Sequence, residues 1–417
     1  MLHGGIDVLD EPWLTCLATE DDLKLVQDRA KYLDDLRRGG VLLEEESKQI
    51  EDKVNKLEAW VRLVRFHHAL IDKDVFVKDS VFQGFKSELS LDAEFAIVTR
   101  NGDKLLLDIA KHEAVLFERR GQTRLLQANH SEGRFVYRAQ VLGSEPRQVV
   151  LKKVSKQVLE HKSAEKQASL VHALRQEFIS LAILEKFGQD NILFFENYFE
   201  NNTCIFVTFP CARMSFWQMI ACGDAHRLNS MTICSLFLQI LRAVCFLANI
   251  GFSHRDLKLE NFVYNVTPGG FLHAQLIDFG MCTTLPLLDK QTGKWGKISG
   301  LMGTHAYMAP EVFLNVDPYD AVQADVWSFG VSLFTFVCLG HLPYTYPGLG
   351  DLKYARLHQY GAKNLLRYLI QVHNYPTHRE LSSDILNVID VSMVVNTDVR
   401  IGVHDMLENL ESVVNQL

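Results

Sequence analysis

The feature that most constrains the fold is a densely polar stretch directly after a long apolar run. Residues 231–252 are largely apolar, with Gln239 and Arg242 as the main interruptions. The next nine residues, Ser253–Asn261, contain two carboxylates, two cations, a histidine and an amide. The apolar run is long enough to cross a membrane, but it leads straight into this polar loop. We therefore predict that it forms a buried core helix.

The mixture of groups in the loop is compatible with phosphate chemistry. A site that orients a hydroxyl, balances phosphate charge and holds a divalent metal needs acids, cations and oxygen ligands close together. Asp278 is a second candidate, because it is placed at the end of an apolar strand, after a turn at Thr267–Gly270. A carboxylate followed by a flexible glycine, as in Ile277–Gly280, suits a metal ligand. We expect Asp256 and Asp278 to act together.

Composition limits the class of protein. Hydrophobic residues make up 47% of the 417 residues and charged residues 23%, so the chain can bury a large core. The net charge of −8 argues against nucleic acid or an anionic membrane as the main partner. Eight scattered cysteines without a C-x-x-C pair indicate reduced thiols. No secretory signal is recognisable, so we expect a cytoplasmic location, with nuclear access left open.

The N-terminal part is predicted to be helical over residues 20–71. Apolar side chains recur there every three or four residues on both sides of Gly39–Gly40. The simplest interpretation is a helical hairpin packed on itself, and the alternative is a short coiled coil for dimerisation or partner docking. Farther along, Asn101-Gly102 predicts a β-hairpin over residues 95–109. That hairpin is either a small module or an extension of the following sheet.

From about residue 122 the pattern changes to alternating apolar residues, which predict strands, with helices dominating after residue 212. A sheet-rich part followed by a helical part indicates an α+β protein with two lobes and a cleft between them. The predicted strands cover Thr123–Asn129, Arg134–Val141, Arg147–Val154, Ile192–Phe199 and Cys204–Phe209, with a helix over Lys162–Phe187.

A lysine at the end of the third of these strands is a candidate functional cation. Lys152 follows the apolar residues Val149–Leu151, and a cation there is costly unless it meets an anion. Strand alternation favours Lys152 over Lys153, which we interpret as a solvent lysine. The expected partner of Lys152 is Glu177 on the next helix. The alternative partners are Glu165 and Glu185.

The loop reads H-R-D-x-K-x-x-N and resembles the catalytic loop of eukaryotic protein kinases. Further motifs match in order: Val-Val-Leu-Lys (149–152), Asp-Phe-Gly (278–280), Met-Ala-Pro-Glu (308–311) and Asp-Val-Trp-Ser-Phe-Gly (325–330). The resemblance covers residues 122–417 and implies a two-lobed kinase fold. Its N-lobe would span about 122–211 and its C-lobe 212–417. Residues 1–72 would form a helical extension, and residues 73–121 a small β-containing connecting region.

The resemblance also implies roles in phosphoryl transfer. Asp256 would accept the proton of a substrate hydroxyl, and Lys258 would balance charge on the transferred group. Asn261 and Asp278 would hold Mg²⁺. Lys258 and the pair Gly303-Thr304 match kinases that act on serine or threonine in proteins. Glu260 matches a position that binds arginine upstream of the acceptor in kinases with that preference.

For ATP, the resemblance implies that Lys152, paired with Glu177, contacts the α- and β-phosphates. Thr208 would guard the back of the adenine pocket. Cys211 would donate a backbone hydrogen bond to adenine, because Pro210 has no N–H. The other residues implied in nucleotide binding are Ala128, Gly133, Phe135, Val150 and Phe209.

The phosphate-covering loop departs from the family pattern G-x-G-x-x-G. Only Gly133 remains in Ala128–Phe135, although side chains obstruct the close approach of backbone amides to phosphate. Glu132 adds a negative charge near the expected phosphates. This departure keeps open an alternative function, that of a pseudokinase acting as a protein-interaction scaffold.

Three further expectations concern support and control of the loop. Glu311 is expected to form a buried ion pair with Arg400, and Asp325 is expected to brace the catalytic loop. Arg255 implies control by phosphorylation of the segment 281–304, because a buried arginine needs an anion. Ser299 is the candidate acceptor, and a constitutively ordered segment is the alternative.

Overall fold

The computed structural model describes most of the chain from residue 95 onward and divides it into two compact units. The first unit contains residues up to Phe187 together with Leu193–Cys211, and the second contains Gly188–Ile192 and Ala212–Leu417. The predicted helices and coiled coil over residues 20–71 lie outside the described residues. The described ranges are 95–100, 103–108, 113–119, 122–123, 125–129, 133–142, 147–155, 177, 180–181, 184, 188–200, 204–286, 295–316, 318–378 and 381–415.

In the described part of the first unit, nine strands form one antiparallel sheet. The sheet order is β1-β2-β3-β6-β7-β9-β8, with β4 paired to β3 and β5 paired to β6. The strands are β1 (Phe95–Arg100), β2 (Asp103–Asp108), β3 (Glu113–Arg119), β4 (Gln122–Thr123), β5 (Leu125–Asn129), β6 (Arg134–Leu142), β7 (Arg147–Ser155), β8 (Asn197–Glu200) and β9 (Cys204–Pro210).

The predicted hairpin is confirmed and extends this sheet. Strands β1 and β2 pair in register from Phe95–Asp108 to Arg100–Asp103, which leaves Asn101 and Gly102 between the paired ends. Strand β3 then pairs with β6 through Val115 and Val141. The sheet therefore runs across the predicted boundary between the connecting region and the kinase-like domain at residue 122.

The hydrophobic core of the first unit contains side chains from both sides of that boundary. The ring of Phe117 in β3 lies 5.5 Å from that of Tyr137 in β6 and 6.2 Å from that of Phe206 in β9. Leu106 and Val115 are buried in the same cluster. Apolar side chains from residues before 122 are thus part of the main core of this unit.

The helix predicted over Lys162–Phe187 agrees with the structure where it is described, whereas the strand predicted over Ile192–Phe199 agrees only in part. The residues described within the predicted helix over Lys162–Phe187 are helical, and Glu177, Leu181 and Leu184 share one buried face. The strand predicted over Ile192–Phe199 is wrong in its first half, because Ile192 forms only an isolated bridge to Leu276. The strand β8 begins later, at Asn197. Apolar residues alone do not distinguish a buried irregular segment from a strand.

In its described part, the second unit is mainly helical, as the α+β expectation requires. Small sheets accompany the helices: β10-β12-β13 in one and β11-β14 in another. The strands are β10 (Met214–Ser215), β11 (Phe252–Ser253), β12 (Phe262–Val266), β13 (Leu272–Leu276) and β14 (Thr283–Thr284). The helices are α1 (Phe216–Ala221), α2 (Ser230–Asn249), α3 (Pro310–Phe313), α4 (Ala321–Val337), α5 (Leu352–Tyr360), α6 (Ala362–His373), α7 (Ser383–Ser392) and α8 (Val403–Asn415).

The apolar run before the polar loop forms α2, and most of that helix is buried. The helix begins where Asn229 accepts a hydrogen bond from the backbone N–H of Thr232 at 2.8 Å. Its Phe237 lies between Phe216 and Phe329, with ring centroids 5.6 Å away from each. By length and composition α2 could span a membrane, but 67% of its most apolar window is buried inside the protein. The prediction of a core helix is confirmed.

The thiols also match their prediction where they are described. Of the seven cysteines in the described part of the chain, five are buried. Burial raises the pKa of Cys234 and of Cys245 to about 11. These thiols therefore remain protonated at neutral pH and are poor nucleophiles.

Helix α4 approaches α7 closely at Gly330. A Cβ atom added there would lie 2.2 Å from Ser392 Oγ and 2.8 Å from Met393 Cγ. Both neighbours are buried, so they have little room to move. Close approach, rather than a turn, explains a glycine inside this helix.

We expect Gly330→Ala to lower the free energy of unfolding by about 1–3 kcal/mol, because overpacking forces neighbouring side chains or backbone to shift. Urea unfolding of the purified chain would measure the change. Gly269→Ala is the matched control, since its added Cβ meets the exposed ring of Phe271 at 3.2 Å and Thr267 Oγ1 at 3.9 Å. Equal stability of the two variants would contradict the predicted clash.

Candidate active site

A buried carboxylate organises the polar loop. Asp325 in α4 accepts hydrogen bonds from Ser253 Oγ and from the backbone N–H groups of His254 and Arg255, each at 2.8 Å. Burial raises the pKa of Asp325, whereas His254 and the three donated hydrogen bonds act in the opposite direction. Those donors offset part of the cost of an anion in the core. The expectation that Asp325 braces the loop is confirmed.

The loop backbone adopts an unusual conformation next to this carboxylate. Arg255 has a φ of 63°, a region that non-glycine residues adopt at a cost. Its Nε donates to the carbonyl of Met281 at 2.7 Å. Gly303 lies against the same turn, where an added Cβ would be 2.7 Å from the Arg255 carbonyl oxygen. The glycine lets the segment before α3 approach the loop.

That approach brings three polar side chains together. Lys258 Nζ donates to Asp256 Oδ2 at 2.6 Å and to Thr304 Oγ1 at 2.9 Å. The Thr304 hydroxyl donates to Asp256 Oδ1 at 2.7 Å. Asp256 is buried, and Lys258 is partly buried. Both carboxylate oxygens of Asp256 are thus held in place, with a cation beside them.

Asn261 is oriented by the same aspartate. Its amide nitrogen donates to the Asp256 backbone oxygen at 2.8 Å and to Oδ2 at 3.2 Å. This leaves the amide oxygen as the group available to a hard cation. The backbone of Asn261 accepts a hydrogen bond from Ile277 at 2.9 Å, which places the strand leading to Asp278 beside the loop.

Asp278 follows that strand in a left-handed conformation, with φ 67° and ψ 76°. Its side chain is exposed, while Phe279 is buried against the ring of His254 at 5.1 Å. His254 also contacts the carbonyl of Ile277 through Nε2 at 3.1 Å. The contacts of His254 with Phe279 and Ile277 therefore fix the backbone on both sides of Asp278.

The carboxylate of Asp278 and the amide oxygen of Asn261 suit Mg²⁺. This ion prefers oxygen ligands and is held by one or two carboxylates together with waters and substrate phosphates. Among the described residues, no group of three or more His, Cys, Asp or Glu side chains could hold a metal.

In the first unit, Lys152 forms the predicted pair with Glu177. Lys152 Nζ donates to Glu177 Oε1, and it lies 5.2 Å from the centre of the Phe209 ring. Lys153 instead lies 5.9 Å from the rings of Phe135 and Phe206. The preference for Lys152 over Lys153 as the paired lysine is confirmed.

The other nucleotide residues predicted in the first unit lie on β5, β6, β7 and β9, directly before β6 or directly after β9. Val150 in β7 pairs with Phe209 in β9, and Leu151 pairs with Thr208. Thr208 is fully buried, and within the described part its hydroxyl has no hydrogen-bond partner. Cys211 follows the end of β9 and is partly buried. The sheet register thus places Val150, Thr208 and Phe209 on neighbouring strands.

The described residues of the glycine-poor stretch are the paired end of β5, the start of β6 and Gly133. Ala128 pairs with Phe135, and Asn129 pairs with Arg134. Gly133 has a φ of 64°, and its carbonyl accepts a hydrogen bond from Ser155 at 2.8 Å. The single retained glycine therefore occupies the position where a left-handed residue is needed.

Comparison with known families identifies the chain. The protein kinase domain model matches residues 135–410. This chain belongs to the protein kinase family.

Several proteins similar to this chain are named as protein kinases. A segment of 132 residues is 36% identical to serine/threonine-protein kinase PRR2 of Saccharomyces cerevisiae and covers 31% of this chain and 18% of that protein. Serine/threonine-protein kinase ksp1 of Schizosaccharomyces pombe is 30% identical over 231 residues, 54% of this chain and 44% of that protein. CBL-interacting protein kinase 16 of Oryza sativa is 30% identical over 190 residues, which are 46% of this chain and 37% of that protein. The aligned part spans less than half the length of each relative.

Glu311, the last residue of the Met-Ala-Pro-Glu motif, forms a buried ion pair with Arg400. Arg400 donates to Glu311 through two nitrogens, at 2.7 and 3.0 Å, and to the carbonyl of Gln323 at 2.7 Å. The Arg400 side chain is fully buried and the Glu311 side chain is 11% exposed. The guanidinium also lies 5.1 Å from the Trp327 ring. The predicted pair is confirmed.

The activation segment is anchored at several described points. The Trp295 indole donates to the Ala248 carbonyl at 2.6 Å, and Ile298 bridges to Tyr319. Ser299 is exposed beside Gly300, whose carbonyl accepts from the Tyr319 hydroxyl at 3.2 Å. These contacts hold residues 295–300 against α2 and Tyr319. Phosphorylation of Ser299 stays a prediction, as does the alternative of a constitutively ordered segment.

Thr304 is the site residue that sequence reasoning missed. It served there only as a marker of substrate class, together with Gly303. The signal was its place a few residues before Met308–Glu311, but its contact with Asp256 spans 48 residues of sequence. Only the folded segment shows that its hydroxyl bridges Asp256 and Lys258.

We expect Glu311→Gln to destabilise the kinase by about 3–5 kcal/mol, because it leaves the buried Arg400 charge without its anion. Thermal unfolding would measure the loss. Glu411→Gln is the matched control, since the Arg242–Glu411 pair is 46% and 35% exposed and should contribute less than about 1 kcal/mol. A loss at Glu311 no larger than that at Glu411 would contradict the assigned importance of the buried pair.

Proposed function

We propose that this chain transfers the γ-phosphate of ATP to serine or threonine hydroxyls of proteins. The observation that carries the proposal is the network of Asp256, Lys258 and Thr304, with Asn261 oriented by the same aspartate. A buried carboxylate with both oxygens fixed is suited to orient a hydroxyl and accept its proton. Family membership supports the same chemistry.

Each residue contributes one physical effect. Asp256 orients the acceptor hydroxyl, and Lys258 balances negative charge that develops on the transferred group. Asn261 and Asp278 would hold Mg²⁺, which neutralises phosphate charge when bound. Lys152, fixed by Glu177, would hold the α- and β-phosphates. Because the protein holds these groups in place before reaction, little reorganisation is required.

Serine and threonine are favoured as acceptors by the place of Thr304. Its side chain contacts both Asp256 and Lys258, the pair typical of serine/threonine kinases. The names of the relatives support the same class. Glu260 is exposed in the loop, which suits the predicted contact with a basic residue upstream of the acceptor.

Other expectations stay predictions. The alternative of a pseudokinase gains no support from the described contacts or from the family comparison. A cytoplasmic location and a docking role for residues 20–71 are untested. The glycine-poor connection at Gly133 is proposed to bind phosphate less closely than the full family pattern, which would raise the KM for ATP.

We expect the purified chain to phosphorylate a generic serine-containing protein with ATP and Mg²⁺. Lys152→Met and Asp278→Asn should each lower the rate at least about 100-fold, because each removes a group that fixes phosphate or metal charge. Transfer of labelled phosphate would measure the rate. Activity that survives both changes would indicate a contaminating kinase, and activity absent from the unaltered chain would support the scaffold alternative.

We expect Thr304→Val to lower kcat about 10- to 100-fold, because the lost hydroxyl frees Asp256 and Lys258 to move from their positions. Steady-state kinetics with a serine peptide would measure this. Thr304→Ser keeps the hydroxyl and should retain most of the activity. Unchanged kcat in Thr304→Val would exclude the hydroxyl from positioning.

A further inference from the structure

A basic segment stands out in an otherwise acidic chain. The segment from Leu352 to His378 contains four Lys or Arg residues and no Asp or Glu, whereas the whole chain has 43 basic and 51 acidic residues. The segment forms α5, α6 and the residues that follow. A local positive surface therefore exists although the net charge is −8.

Aromatic rings hold two of these cations in place. The Arg356 guanidinium in α5 lies 3.7 Å from the centre of the Tyr368 ring in α6 and 5.2 Å from that of Tyr360. Lys353, one turn earlier on the same face of α5, donates to the Tyr375 hydroxyl at 2.6 Å. Stacking on aromatic rings fixes the position of a cation without neutralising it.

The surface continues onto α6. Arg367 is exposed next to Tyr368, and the ring of His373 lies 5.3 Å from that of Tyr368. Tyr360 is 49% exposed and Val372 is 57% exposed. We define the α5–α6 basic surface by its cations and rings. They are Lys353, Arg356, Arg367, Tyr360, Tyr368 and Tyr375.

Within the described part of the chain, no carboxylate pairs with these three cations. Two other cations of the second unit, Lys258 and Arg400, instead have acidic partners, Asp256 and Glu311. Arg356 Nε is buried, and no described residue forms a hydrogen bond with it. The carboxylate of the adjacent Asp351 accepts hydrogen bonds from the backbone N–H groups of Thr345, Lys353 and Tyr354 near the start of α5.

We propose that the α5–α6 basic surface binds an acidic segment of the protein substrate, outside its phosphorylated residue. This inference rests on the proposed function in that the substrate is a protein. Carboxylates of the segment pair with Arg356, Arg367 and Lys353, and its apolar side chains contact Tyr360 and Val372. The acidic net charge of the chain disfavours a long polyanion such as RNA, which would meet repulsion beyond this surface.

Direct binding tests the surface without relying on activity. A short fluorescein-labelled peptide rich in Glu and Leu would be titrated with the full chain, beside a peptide with Gln in place of Glu. Arg356→Gln/Arg367→Gln should weaken binding of the Glu peptide about tenfold, since each exposed ion pair contributes up to about fivefold. Binding should also weaken as salt is added.

Matched variants separate charge from folding. Arg242→Gln removes one exposed cation from α2 and should bind the Glu peptide normally. Arg367→Gln alone removes an exposed side chain without disturbing the tyrosine stack, and should weaken binding two- to fivefold. Arg356→Lys keeps the charge and should retain more affinity than Arg356→Gln. Thermal unfolding would show that each variant is folded.

Kinetics connect the surface to the substrate. A serine peptide extended by the Glu-rich segment should have a lower KM than the same peptide without it, and the double variant should remove that difference at unchanged kcat. Equal affinity for the Glu and Gln peptides, or full affinity in the double variant, would overturn the proposal. Preferential binding of an RNA oligonucleotide would overturn it as well. If the chain binds the Glu peptide but phosphorylates no peptide, the binding role of the surface stands and the proposed kinase activity is rejected.

Discussion

The second unit depends on one buried carboxylate. Asp325 is 2% exposed, and it accepts hydrogen bonds from a side chain and two successive backbone groups of the polar loop. An anion in that position would be costly without those donors. The donors in turn hold Arg255 in its left-handed conformation, which directs Asp256 toward Thr304. The geometry of the proposed catalytic groups therefore follows from the satisfaction of a core charge.

The ion pair of Arg400 and Glu311 fixes the other end of the same region. Residue Glu311 follows Thr304 by seven positions, so the segment between them is held at both ends by buried polar contacts. A buried pair adds little net stability compared with an apolar replacement, but losing one partner is costly. This asymmetry makes such a pair effective at enforcing one arrangement of the chain.

Short motifs made several contacts predictable from the sequence. Lys152–Glu177, Glu311–Arg400 and the bracing by Asp325 are implied by the resemblance of their motifs to those of protein kinases, and each contact reduces the cost of a buried charge. The hairpin was expected from Asn101-Gly102 because its turn chemistry is local. By contrast, the Thr304 bridge and the stacking of Arg356 on Tyr368 join residues whose spacing carries no periodic signal. The irregular start of the segment before β8 was missed because apolar composition alone suggested a strand.

The pairing of β3 with β6 has a consequence for where the folded unit begins. A fragment starting at residue 122 would lack Leu106, Val115 and Phe117, and it would expose the apolar face that they cover on Tyr137 and Phe206. It would also leave the edge of β6 at Val141 without β3, although β7 would still pair with the other edge. An uncovered sheet edge next to an apolar face favours association between copies. We expect such a fragment to aggregate during production, although it contains nearly every recognisable kinase motif.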